Sequence, residues 1–400
     1  MPYNFDEIID RRNTNSLKHE GFRQYVLHDD GTMQFPCGDD ELVRMWVADQ
    51  EFAAPEAVID AMRRCLDRRI FGYSRPFDPG YYEAFAGWCD RHYGWHAERR
   101  HLVTANGVVP AICELTGYIT KPGQKVLSLA PSYPDFKVAA DLNGRGFVTS
   151  PLVRDAEGRF SIDFDDLERK AADPLVKLMI LCHPHNPTGR DWTEAELRRV
   201  AEICERHGLW IISDEIHCDL LRKGGRHTPL AKLFPGNDRI ITCTAPSKTF
   251  NLAGLMIANI VIPNEELRAV WNARHYSFDN PISLAGTQAA YEKGDEWLEA
   301  LKDYLDRNFR FTADFLAENL PLAKFRIPEA TYLAWVDASA YLKGVADVTR
   351  FFAEHAGVLL EGGGMFTDSA AGFIRLNIAC PRSMLEKALR RIHEALRERA

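Results

Sequence analysis

The segment Lys177–His217 reads KLMILCHPHNPTGRDWTEAELRRVAEICERHGLWIISDEIH. It opens on an apolar run, Lys177–Cys182, and closes on another, Leu209–Ser213. Both runs are continuous rather than alternating, the pattern of strands buried on two faces. Between them the period changes. Thr193, with Glu196 three residues on, forms a capping box. Leu197, Val200, Ala201 and Cys204 recur on one helical face, and Gly208 is placed to end the helix. Strand, helix, strand at this rhythm predicts a mostly parallel α/β sheet.

Working outward, Lys125–Leu129, Arg239–Thr244 and Ala258–Ile262 are further candidate strands. A helix is expected from Pro55, read as its first helical residue, with Val58, Met62, Cys65 and Leu66 facing inward. After about Pro281 the character changes. A long helical pattern carries Trp297, Leu301, Tyr304, Leu305 and Phe311. Strand-like pieces follow at Thr331–Val336 and Phe373–Asn377, then an amphipathic helix with Leu385, Leu389, Ile392 and Leu396. The expected organisation is a large α/β domain over 51–285 and a smaller α+β domain over 286–400, joined by an N-terminal arm over 1–50.

With 400 residues the chain is too long for one simple core, so two packed domains are the default. The formal net charge of −8 argues against nucleic acid as the main partner, because phosphate backbones need a basic surface. No apolar run approaches a membrane span. Met1–Asp10 carries acids and no apolar core of a signal peptide, so a cytoplasmic location is expected. The nine cysteines, scattered singly from Cys37 to Cys380, read as reduced core thiols.

The chemistry falls at the ends of strands, where α/β sheets place ligands. Asn186 lies in the turn-rich HPHNPTG after the first run, Asp214 follows the second, and Lys248 follows the third in TAPSKTF. Singly these are a turn residue, a helix cap and a surface charge. Together they are the set that pyridoxal phosphate (PLP) needs: an amine for the Schiff base, an acid for the pyridine nitrogen and an amide for the phenolic oxygen. His183, His185 and His217 lack a metal-ligand spacing, and no metal is expected.

In this order the motifs resemble fold-type I PLP enzymes, the aspartate-aminotransferase superfamily of class I and II, and within it the MalY/PatB group of cystathionine β-lyases. The matching stretches are Arg11–Lys18, Trp46–Asp49, Phe71–Arg75, Pro131–Phe136, Ser213–Asp219, Ser247–Gly254, Thr331–Trp335 and Phe373–Asn377. The resemblance implies a large PLP-binding domain with a seven-stranded type of sheet between helices. It makes Lys248 the Schiff-base lysine and proton carrier, Asp214 the partner of the pyridine nitrogen and Asn186 that of the phenolic oxygen. Tyr133 would stack on the cofactor ring. Gly107 and Val108, opening a helix, would cradle the phosphate, with hydroxyls from Ser247 and Thr249. Tyr73 would reach the phosphate of the other subunit of a homodimer, and Arg375 would clamp the substrate carboxylate.

Two positions depart from many aminotransferases of this fold: His217 stands where a tyrosine is common, and Met256 where an arginine grips the phosphate. Both agree with the lyase group. The activity implied is carbon–sulfur β-lysis of cystathionine or a related S-substituted cysteine. The alternatives are an aminotransferase on the same cofactor and a regulatory protein that binds a transcription factor through an outer surface.

Overall fold

The computed structural model describes residues 3–368 and 370–399. Its strands, in chain order, are β1 Val43–Arg44, β2 Leu102–Ala105, β3 Lys125–Ala130, β4 Gly146–Arg154, β5 Phe160–Ile162, β6 Val176–Cys182 and β7 Trp210–Asp214. They continue with β8 Ile240–Thr244, β9 Ala258–Val261, β10 Leu333–Asp337, β11 Val358–Leu359, β12 Glu361–Gly362 and β13 Phe373–Asn377.

Among the described residues one sheet has the order β2-β9-β8-β7-β6-β3-β4-β5. Its centre, β8 to β4, is parallel. The apolar runs of the sequence become its interior because helices cover both faces, so Leu178, Ile180 and Ile212 pack to one side and Met179, Leu181 and Ile211 to the other. This is the layered architecture that the resemblance implies, a mostly parallel sheet between helices. The sheet has eight strands rather than seven, because the short β5 adds an antiparallel edge beside β4. β9 also runs antiparallel to both its neighbours, so an apolar run alone does not fix strand direction.

The helix between β6 and β7 spans Glu194–Arg206, with both halves of the Thr193–Glu196 capping box formed. Pro55 caps its own helix, Glu56–Asp67, from the position before the first turn. Leu66 of that helix is 49% exposed, and Ala61 takes the inward place beside Val58 and Cys65.

A second core gathers around the antiparallel sheet β10-β13-β12. Ala334, Val336, Ile374 and Leu376 pack there against Leu385, Leu389, Ile392 and Leu396 of the helix Arg382–Leu396. Thr331, at φ +70°, turns the chain into β10, which begins two residues later than the sequence suggests. The N-terminal arm divides its contacts. Val43 and Met45 join the second core, while Phe5 and Ala48 pack with Trp88 and Trp297 in another cluster. The helix Asp295–Asn319 likewise buries Leu301 and Leu305 in one cluster and Phe309 and Leu316 in the other. The boundary expected at 285/286 falls inside the helix Pro281–Lys293. The long helix that follows, rather than a linker, ties the two cores together.

Candidate active site

Parallel strands end together, so β6, β7 and β8 deliver the residues at and just beyond their ends to one edge of the sheet. Asn186, Asp214 and Lys248 line one cavity of about 230 Å3 there, and β13 adds Arg375 from the second core.

Lys248 Nζ donates to the carbonyl oxygen of Ala48 at 2.7 Å. Enclosure in protein, ahead of the opposing charge of Asp49, pulls its ammonium below the usual lysine range. That favours the neutral, nucleophilic amine. Asp214, buried, accepts the Ile216 N–H at 3.2 Å. Burial pushes its carboxyl up to about 7 against that bond and the charge of Lys248. A carboxyl so placed gains most from a cationic partner in the cavity.

Asn186 Oδ1 accepts from Arg375 Nη1 at 2.9 Å, so its amide nitrogen is the group left to donate to a ligand. Arg375 is buried. Its Nη2 also reaches the Trp46 carbonyl at 3.3 Å and pairs with Glu361, and its Nε–H has no partner. The guanidinium lies over the Phe366 ring, 5.1 Å from the centroid. Glu361 faces Arg375 across β12 and β13 and lines the same cavity. Sequence reasoning missed it; an acid directly after the apolar run Val358–Leu360 was the available signal.

The remaining candidates divide. Tyr133 lines the cavity from just before the helix Pro134–Leu142, where burial raises its phenol well above the usual range and keeps it neutral. Gly107, Val108 and Ser247 line it too. The helix Val108–Ile119 opens there, leaving backbone N–H groups of its first turn without helical acceptors. Gly107 sits at φ +148°, and a Cβ on it would meet Pro110 at 3.3 Å. His217 is buried in the cavity wall with Nδ1 unpartnered, and burial, then Lys248 and Arg375, push it down to about 3. It is therefore neutral and offers hydrogen bonds, not charge. Met256 is part of the wall, 59% exposed.

Thr249 does not reach the cavity. Its buried hydroxyl donates to Asp219 Oδ2 at 2.6 Å, so it supports the loop after β8 from behind instead of touching a phosphate. Tyr73 is also absent from this chain's own cavity. It is 90% exposed and leans on Phe278, with ring centroids 4.8 Å apart.

The donor set fits pyridoxal phosphate. It offers an enclosed amine, a buried acid, an amide N–H, and a helix start with a hydroxyl beside it for a dianion. Fold and site together define an enzyme of the PLP-dependent kind, built where the large sheet meets the second core. The chain belongs to the aminotransferase class I and II family, whose model matches residues 46–392. It is 38% identical to cystathionine beta-lyase PatB of Bacillus subtilis over 98% of this chain and 100% of that one. It is 31% identical to protein MalY of Escherichia coli, over 99% of each. A PLP-bound C–S lyase from Staphylococcus hominis, complexed with the inhibitor L-cycloserine, superposes with a TM-score of 0.95 and 48% identity over 98% of both chains.

Proposed function

We propose that this chain is a PLP-dependent carbon–sulfur β-lyase, which takes cystathionine or a related S-substituted L-cysteine and one water to a thiol, pyruvate and ammonia. The observation that carries the reading is the meeting of Lys248, Asp214, Asn186 and Arg375, from four separate segments, in one cavity. The likeness to cystathionine β-lyases and a C–S lyase supports it.

When bound, PLP supplies the electron sink that draws charge from the substrate's Cα. Arg375 takes the substrate carboxylate and, braced by Asn186 and Glu361, fixes the orientation of the Cα–H bond. Lys248 Nζ moves the proton from Cα. Asp214 would hold a proton at the ring nitrogen, the Asn186 amide would donate to the phenolic oxygen, and Tyr133 would lie against the ring. The N–H groups of Gly107 and Val108, where the helix opens, would hold the phosphate together with Ser247.

The test is a product assay on cystathionine without any keto acid. Pyruvate and ammonia in equal amounts are expected. Turnover that needs a keto-acid acceptor and yields no pyruvate would make the chain an aminotransferase instead.

The same reading includes a two-fold homodimer in which Tyr73 completes the partner's site. Its support is the exposed apolar group of Ile70, Phe71, Tyr73, Phe77 and Tyr276. Mixing inactive Tyr73→Ala and Lys248→Ala variants should restore activity, because a heterodimer regains one intact site. No recovery after demonstrated subunit exchange argues against a shared site. A cytoplasmic location belongs to the same proposal and is supported by nine unpaired thiols.

A further inference from the structure

Outside the cavity, three side chains turn unpartnered atoms toward one another. His183 Nδ1 lies 3.7 Å from Asp191 Oδ1, and His227 Nδ1 lies 3.8 Å from the same oxygen. All three atoms lie within 4.8 Å of one another. Each is buried and has no hydrogen-bond partner. Both histidine side chains have no exposed surface, and Asp191 is 23% exposed.

The opposite ring nitrogens settle what these atoms offer. His183 Nε2 meets the Thr228 carbonyl at 3.1 Å, and a carbonyl only accepts, so Nε2 carries the proton and Nδ1 of the neutral ring presents a lone pair. His227 Nε2 meets Glu215 Oε2 at 2.9 Å. Glu215 also accepts from the Ser213 hydroxyl and the Leu230 N–H, which identifies it as an ionised acceptor. Its bond to His227 is the carboxylate–histidine arrangement that orients metal-bound imidazoles. Against burial, Asp191 and Glu215 raise the His227 imidazolium to about 9, so a metal ion would take the place of its Nδ1 proton and leave a second lone pair facing the gap, beside the carboxylate oxygen of Asp191. Once that proton has left, three acceptors face one another and repel. A cation at their centre removes the conflict, and the two carboxylates, Asp191 and Glu215, balance a double positive charge.

We propose that His183, Asp191 and His227 bind one divalent transition-metal ion, with zinc the best match. Two imidazole nitrogens and a carboxylate oxygen are borderline ligands, and zinc imposes no geometric preference of its own. Ligand atoms around tetrahedral zinc stand roughly 3.3 Å apart, so the observed spacing asks for an inward shift of a few tenths of an ångström at each side chain. Water completes the set from the exposed side of Asp191. The sequence hid this site because its members come from two loops, His183 and Asp191 after β6 and His227 after β7. Of the histidines weighed there, His185 bonds Thr188 and His217 lines the cavity, while the partner of His183 lies 44 residues away in His227.

The ion would not touch substrate, since none of its ligands lines the cavity. It would pin the loop that carries Asn186 to the segment after Asp214, whose carbonyl already accepts the His183 N–H at 2.9 Å. Its role is structural, and its test stands apart from the proposed reaction.

The holoenzyme, purified without chelator, should contain close to one zinc per chain by elemental analysis. After stripping with chelator, added zinc chloride should raise the thermal midpoint and bind in calorimetry. Asp191→Asn, which keeps the shape of a partly exposed side chain, should weaken that binding at least tenfold, about the effect of disturbing a zinc ligand shell, while the PLP absorbance stays unchanged. His183→Asn should do the same. Wild-type protein that holds no zinc and melts unchanged in excess zinc overturns the proposal. The gap then holds a water, bridging a protonated His227 to the other two groups. Equal zinc binding by wild type and Asp191→Asn overturns it as well, placing the metal elsewhere.

Discussion

The Nζ of Lys248 donates to the carbonyl oxygen of Ala48, 200 positions earlier, and Gln50 Nε2 returns a bond of 2.7 Å to the carbonyl of Lys248. The proposed Schiff-base lysine and the arm that precedes the first domain are thus fastened to each other in both directions. A second donor, the Tyr332 hydroxyl, shares the Ala48 carbonyl at 2.9 Å. The amine is parked on a backbone oxygen, a weak acceptor that it can leave when a carbonyl carbon is offered.

Lys248→Ala should therefore yield a folded protein that binds PLP without covalent attachment. The visible absorbance of the bound cofactor should shift, and turnover should fall almost to nothing, because the imine and the proton carrier go together. Borohydride reduction of the wild type followed by peptide mapping should place the label on Lys248. A label on any other lysine sinks the assignment.

Asp214→Asn keeps the shape of the side chain but cannot carry the charge that holds a proton on the ring nitrogen. The variant should retain cofactor and lose orders of magnitude in kcat. Near-normal turnover would remove Asp214 from that role.

Arg375→Lys should fail nearly as badly as Arg375→Ala, since a point charge replaces neither the planar fork nor its bonds to Asn186 and Trp46. The loss should be at least ~2 kcal/mol in kcat/KM, alike for every amino-acid substrate. Thermal midpoints measured on the same variants separate recognition from stability. A folded, PLP-loaded Arg375→Ala enzyme with unchanged kcat/KM would show that the residue only supports β13.

The arm supplies a pH prediction. Glu51 is buried at 2.6 Å from Lys18 Nζ, with Arg11 and His19 beside it. Burial alone would raise its pKa, but Lys18, His19 and Arg11 outweigh that and hold the carboxyl well below the usual range. A depressed folded pKa means that the stabilisation is complete above the unfolded value, near 4.3, and fades as pH falls toward the folded one. Glu51→Gln should cost ~3–5 kcal/mol at pH 7, chiefly by leaving Lys18 buried without its closest partner. Denaturant melts from pH 7 to pH 3 should show the gap to wild type narrowing only below about pH 4.3. A gap that is constant across that range would contradict the linkage.

Much of this was legible in the sequence because it is local. Strand runs, the Thr193 cap and the residues at the ends of β6, β7 and β8 all follow from patterns within a few positions. Glu361 was not legible, since its meaning depends on standing across from Arg375 in another strand. Thr249 misled for the converse reason. It neighbours Lys248 in the chain, yet successive residues leave a tight turn in different directions, and its hydroxyl went to Asp219. Leu66 fitted the helical stripe, but no neighbouring element covers that corner. Tyr73 stands apart, because its expected contact lies in a second chain.

The pairing of β1 with β11, Val43 beside Val358, also has a consequence for biosynthesis. The arm leaves the ribosome more than 300 residues ahead of its strand partner. The intervening sheet can form while translation continues, but the arm must wait. Until it docks, Ala48 cannot meet Lys248, and the pocket lacks one wall. Cofactor capture is thereby tied to the emergence of β11, so a chain terminated ahead of it would hold PLP poorly however well its central sheet had folded.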